Sequence, residues 1–195
     1  MYSESLLYTS YEIIGGKKIM APSANLGHSN VIVELLFEFR LYFRQHKNSG
    51  YVFGDNVDVY FPDGSTYKPD LVVVSEENKN IMSSNKGIYG APDMVVEVLS
   101  KSTMRKDFTI KKDTYEKFGV KEYWIVNPFV KSVSVYLLRD GKYELDFEYI
   151  LYDEDDLAEI AEMKDEEKPE IRNEVSPSIY PEIKIKLSDI FSWEF

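Results

Sequence analysis

Cysteine is absent from the 195-residue chain, and histidine occurs only as His28 and His46. The first absence excludes disulfides, thiolate zinc sites, iron–sulfur clusters and a cysteine nucleophile. The second excludes a multi-histidine metal centre and leaves little for a histidine-based triad. Any metal must rest mainly on carboxylates, which favours hard ions such as Mg²⁺ or Mn²⁺. No apolar run approaches the ~18–20 residues that span a bilayer. The start, Met1-Tyr2-Ser3-Glu4-Ser5, lacks the cationic lead of a signal peptide. These features predict a cytoplasmic protein without a membrane segment. Phosphate-cradling and nucleophile-elbow motifs are missing as well: there is no G-x-x-x-x-G-K-[ST], G-x-G-x-x-G or G-x-S-x-G.

What is present can build a core: 44% of the residues are hydrophobic and 14% aromatic, so the chain is not disordered as a whole. The net charge of −11 is unevenly spread. Residues 153–174 hold eleven Asp/Glu against three Lys/Arg, a charge of −8, which leaves −3 for everything else. Such a stretch predicts a solvated surface helix or loop. We expect one domain over 1–195 with an acidic surface insertion at about 153–174.

Tyr11–Ile14 and Lys17–Met20 flank Gly15-Gly16 and predict a hairpin. The apolar positions Val31, Leu35, Phe39 and Tyr42 predict a helix over about 26–46. Alternating Val57, Val59 and Phe61 predict a strand, and Leu71–Val74 a central one. Met94–Leu99 is a second apolar run. Residues 102–118 predict a helix capped by Ser102 or Thr103 and ended by Gly119. Residues 121–126 follow as a strand, and 132–138 with 142–147 as a hairpin around Asp140-Gly141. Residues 183–187 read as a strand, followed by a helical turn to Phe191. The succession implies an α/β (α+β) arrangement: a mixed central sheet flanked by helices, plus extra β-hairpins.

One residue is out of place. Glu97 stands inside the apolar run Met94-Val-Val-Glu-Val-Leu99, and a buried carboxylate is costly unless paired or metal-bound. It is otherwise a strand-end acid facing solvent or a lysine. Asp70 opens the neighbouring apolar strand after Pro69. Two such acids on adjacent strands can share a divalent ion. Asp93 shares the strand face of Glu97 and is either a third ligand or, preferably, a turn residue after Pro92. In the following helix Asp107, Lys111 and Tyr115 are spaced i, i+4, i+8 and line one face. They form either an exposed ion pair or a set in which the Lys111 ammonium faces the acids, holds a water and offsets charge on a phosphate. Lys106 and Lys112 lie on other faces.

The stretches Tyr67-Lys-Pro-Asp-Leu-Val-Val-Val74, Gly90-Ala-Pro-Asp-Met-Val-Val-Glu-Val-Leu-Ser-Lys-Ser-Thr103 and Asp107…Lys111…Tyr115…Gly119-Val-Lys-Glu-Tyr-Trp-Ile-Val-Asn-Pro128 resemble the Uma-two family of restriction-endonuclease-like proteins, within the PD-(D/E)xK nuclease superfamily. The likeness extends to Tyr11-Glu-Ile-Ile-Gly-Gly16, to His28 and to residues 176–187. It implies a restriction-endonuclease-like fold and a metal-dependent endonuclease that hydrolyses DNA phosphodiester bonds. Residue by residue it puts Asp70 and Glu97 at the two acid positions. The superfamily's lysine position two residues after the second acid is Leu99 here, and Lys111 stands in for it. One or two Mg²⁺ or Mn²⁺ ions would rest on Asp70, Glu97 and the Val98 carbonyl, with Asp107, Tyr115 and Asp93 in support and Tyr115 or Asp107 holding Lys111. Lys101, Arg105, Lys106 and Lys112 are the candidate DNA contacts, and family analogy adds a homodimer. The competing expectation is a noncatalytic interaction or binding module on the same fold. A two-carboxylate glycosidase is a third, distinguished by indifference to chelators.

Overall fold

The computed structural model describes residues 11–20, 26–54 and 57–192. In chain order the first elements are β1 (Tyr11–Ile14), β2 (Lys17–Met20), α1 (Leu26–Gln45), β3 (Gly50–Gly54), β4 (Val59–Tyr60), β5 (Thr66–Tyr67) and β6 (Leu71–Ser75). A 3₁₀ stretch (Glu76–Ile81) leads to β7 (Met82–Ser83), β8 (Gly87–Tyr89) and β9 (Met94–Val98). Then come α2 (Met104–Lys106), a π-helical turn (Asp107–Lys111), α3 (Lys112–Phe118), β10 (Glu122–Asn127), β11 (Ser132–Arg139) and β12 (Lys142–Ile150). α4 (Glu154–Glu162), β13 (Glu174–Val175), β14 (Ile185–Lys186) and α5 (Leu187–Ile190) complete the chain.

Two mixed sheets carry the fold. The main sheet runs β12-β11-β10-β9-β6-β3, with only β9 and β10 parallel. The second runs β2-β1-β5-β4-β8-β7, with β4 and β8 parallel. The expected hairpins are in place. Gly15 and Gly16 have φ of 55° and 75°, and Asp140 and Gly141 have φ of 49° and 78°, the left-handed pairs that a two-residue turn between twisted strands requires. The expected strand through Val57 and Phe61 shrinks to Val59–Tyr60 and belongs to the second sheet; its residues 55 and 56 lie outside the described residues.

Alternation divides the main sheet's side chains between two apolar layers. Leu71, Val73, Met94, Val96, Trp124 and Val126 pack with Val31, Leu35 and Phe39 of α1 and with the C-terminal Ile183, Leu187 and Ile190. Val72, Val74, Val95, Leu99, Tyr123 and Ile125 face the other way, onto Tyr115 of α3 and onto Ile14, Val59, Phe61, Tyr67 and Ile88 of the second sheet. Glu97 has the parity of Val95 and Leu99, so it points into this second layer. The π turn is a departure from the expected regular helix. Nor does a side chain cap the helix start: the Thr103 hydroxyl turns back to Ser100. Gly119, at φ 86°, ends α3 as expected. Among the described residues no helix is long and apolar enough to cross a membrane.

Candidate active site

β6 and β9 pair antiparallel with Leu71 opposite Val96, and one step further the same register sets Asp70 opposite Glu97. Pro69 removes a donor just where the chain enters β6. The Asp70 side chain, 17% exposed, accepts the Val98 backbone N–H at 2.7 Å through Oδ2. His28 Nε2, from the first turn of α1, stands 3.3 Å from the same oxygen.

Glu97 is 2% exposed. Lys111 Nζ donates to its Oε2 at 2.8 Å and the Tyr115 hydroxyl donates to its Oε1 at 2.7 Å. Lys111 is itself buried, with Asp107 Oδ1 at 3.2 Å and Glu12 Oε1 at 3.3 Å. Glu12 reaches it from the inward face of β1 and also accepts the Lys68 backbone N–H at 3.2 Å. The π turn spans Asp107–Lys111, the two ends of this i,i+4 pair. In a regular helix residues four apart drift 40°, and the wider turn takes up that excess. Asp107 is fully buried, and its backbone carbonyl accepts from the Tyr123 hydroxyl at 3.0 Å.

The electrostatics follow from burial and from charge excess. Asp70, Glu97, Asp107 and Glu12 surround one lysine, a formal charge of −3 with His28 neutral. Burial, reinforced by Asp107, Asp70 and Glu12, pushes the Glu97 carboxyl well above the ordinary range despite Lys111. Burial also raises Asp107. For Lys111, burial works against the charged form, but the attraction of Glu97, Asp107, Glu12 and Asp70 wins and holds it well above the usual lysine value. Burial and the Glu97 charge keep the Tyr115 hydroxyl protonated, hence a donor. A buried cluster short of positive charge takes up either a proton or a hard cation, and an all-oxygen donor set suits Mg²⁺ or Mn²⁺. Among the described residues no three His, Asp or Glu side chains are set to hold one ion by themselves.

Several sequence expectations change. Asp93 is not in the site: four residues along β9, at the other end of the strand, it accepts from the Ser75 backbone N–H at 2.8 Å and from Lys121 at 2.6 Å. Burial would raise Asp93, but those partners hold it below the usual carboxylate range. Tyr115 holds Glu97 rather than Lys111. Lys111 is not an exposed ion pair: it faces the acids and lies 4% exposed. Lys112 Nζ sits 3.9 Å over the Tyr136 ring on β11, two strands from β9 on the side away from β6 and Asp70. Lys101 and Arg105 are exposed and Lys106 is half-buried at the entrance to the π turn. Two members went unassigned in the sequence reading. Glu12 carries a signal, an acid at the inward position of a strand beside Ile14. His28 carries less, one of two histidines at a helix start.

The family model of Uma2, described as "Putative restriction endonuclease", matches residues 6–158. A solved structure titled as a "putative nuclease belonging to DUF820" from Anabaena variabilis superposes with a TM-score of 0.70 at 21% identity. The match covers 95% of this chain and 91% of that one. No curated protein matches. That structure shares the fold, and with the family model spanning more than three quarters of its length the chain belongs to the Uma2 family.

Proposed function

We propose that the protein is a metal-dependent nuclease that hydrolyses phosphodiester bonds of DNA. The observation that carries this reading is the pair Asp70 and Glu97, set opposite each other on adjacent strands, with Lys111 bonded to Glu97 inside a cluster of excess negative charge. Asp70, Glu97 and the Val98 carbonyl would hold Mg²⁺ or Mn²⁺, with waters and a phosphate oxygen completing the shell. Such an ion, when bound, polarises the phosphoryl group and makes a coordinated water acidic enough to attack.

The chain's own groups prepare that event. Tyr115 and Lys111 fix both oxygens of Glu97, so its orientation costs nothing when substrate arrives. The Val98 N–H and His28 fix one oxygen of Asp70, Oδ2. Lys111 neutralises part of the carboxylate field that would otherwise repel a phosphodiester. Asp107 and Glu12 hold Lys111 in place.

Supercoiled plasmid incubated with the protein and Mg²⁺ or Mn²⁺ tests the reading. Nicking or linearisation is expected with the ion, is abolished by chelator, and is lost in Asp70→Asn. Cleavage that persists in excess chelator would refute the metal role. A wild type inert on every DNA and RNA with either ion would leave the noncatalytic module in its place.

A further inference from the structure

The second sheet turns one face toward the site and the other to solvent. Its register decides which residues share the outer face: Tyr11 lies opposite Met20, Ile13 opposite Lys18, Tyr60 opposite Thr66 and beside Tyr89. Their strand neighbours Glu12, Ile14, Val59, Tyr67 and Ile88 are buried on the other side. The outer rings stay open, with Tyr11 41% and Tyr89 47% exposed. Tyr60 and Tyr89 stack at 4.8 Å between centroids and 20° between planes. Lys18 Nζ sits 3.8 Å from the centroid of the Tyr11 ring. Lys68, next on this face after Thr66, pairs with Asp58 at 2.8 Å.

We propose that this outer face is a stacking platform for the bases of single-stranded nucleic acid, with Tyr11, Tyr60 and Tyr89 as its rings and Lys18 and Lys68 as its cations. Open rings on a sheet face offer bases a sequence-tolerant surface. The face sets three tyrosines and two ammonium groups among Ile13, Met20 and Thr66, and rings beside ammonium groups suit a phosphate-linked stack of bases better than an aliphatic protein surface. The platform also adjoins the site. Lys68 lies two residues before Asp70, about 7 Å of extended chain, and its backbone N–H bonds Glu12. The proposal rests on the nuclease reading for its purpose and adds that the strand entering the site is unpaired.

Fluorescence anisotropy of a labelled oligothymidylate, long enough to cross the sheet, tests it with the full chain in chelator, where binding is read without cleavage. Tyr60→Ala and Tyr89→Ala are expected to weaken binding at least about fivefold each; Tyr89, 47% exposed, should melt unchanged, and Tyr60→Ala, which removes a half-buried ring and its bond to Asp58, is compared at a temperature where both variants stay folded. Tyr89→Phe should bind like wild type, since the ring and not the hydroxyl is used. Equal binding by wild type and the alanine variants, a Tyr89→Phe as weak as Tyr89→Ala, or a wild type that binds no oligonucleotide would overturn the platform. So would a dimer in sedimentation that Tyr89→Ala dissolves while oligonucleotide binding is unchanged, which would make the face a contact between copies. Cleavage assayed separately keeps the two readings apart. Platform binding without cleavage by any ion removes the nuclease reading alone, and cleavage with tyrosine-independent binding removes the platform alone.

Discussion

Lys111 is a lysine that cannot be removed quietly. Its ammonium is the positive centre for Glu97, Asp107 and Glu12, all shielded from water. Deleting one partner of a buried ion cluster leaves charge uncompensated, which costs about 3–5 kcal/mol. Lys111→Ala should therefore lower stability by that order at neutral pH in chemical denaturation, not merely lower activity. The loss should shrink on acidification, as Glu97 and Asp107 take up protons. The same shifts set the cluster's own contribution to the wild type's pH dependence without metal. Both carboxyls are raised in the folded state, so the native form holds more protons than the unfolded one. The cluster's contribution to stability should then fall as pH rises from the ordinary carboxylate range toward the raised values, against the opposite contribution of lowered carboxyls such as Asp93. A denaturation series at constant salt checks the slope, and the opposite slope after Glu97→Gln plus Asp107→Asn would fit. A cation entering the cluster should displace those protons. Calorimetry of Mn²⁺ binding in buffers of different ionisation enthalpy is expected to show proton release and an affinity that rises with pH. Asp70, Glu97 and Lys111 were legible as single residues because each breaks a pattern: an acid inside an apolar run, an acid at a strand start, a lysine in step with two neighbours. Glu12 breaks only the short inward face of a four-residue strand and His28 breaks no pattern, and their roles depend on a hairpin and a helix from distant sequence reaching the same point.

Among the elements, β6, β9, β10 and β11 announced themselves through β-branched runs and β12 through its turn with β11, whereas β3, the main sheet's edge strand, and β7 and β8 of the second sheet did not. They are two to five residues long, too short for alternation to rise above chance, and partners far along the chain make them strands. The π turn was equally hidden, since i, i+4, i+8 spacing fits a regular helix as well. Glu122 shows how the C-terminal elements are tied down. It is fully buried on β10, accepts the Trp124 indole N–H at 2.7 Å, and takes the Ser178 backbone N–H and hydroxyl at 2.8 and 2.6 Å. Glu122→Ala strands several buried donors and should cost on the order of 3 kcal/mol. Hydrogen exchange should then quicken most around 176–183, the segment that Glu122 anchors. Uniform quickening across the protein would mean that the clamp is part of the global core instead.

At the scale of the whole molecule, charge is divided rather than balanced. Segment 153–174 carries −8 of the net −11. Its helix α4 has a capping box between Asp153 and Asp156 and no buried residue. The segment is exposed along its length, as a capped helix over Glu154–Glu162 followed by turns and irregular chain. Neutralising Asp155, Glu159, Glu162, Asp165 and Glu166 to their amides spares the cap. It should raise affinity for DNA at low salt and have little effect once screening shortens to a few ångströms. Reduced affinity after that change would mean that the segment is a docking element and not a source of repulsion. The fold was readable at this scale because one sheet organises the chain; the second sheet was not, being assembled from six short strands between residues 11 and 89. Glu97 is the carboxylate on which the proposed ion binding turns. Glu97→Gln keeps the shape of the side chain and an acceptor for Tyr115 while removing the charge that holds an ion. The cleavage rate of this variant, compared with wild type on the same DNA with saturating Mn²⁺ and matched melting curves, should be lower by about 10²-fold or more; a rate within about twofold of wild type would contradict the account.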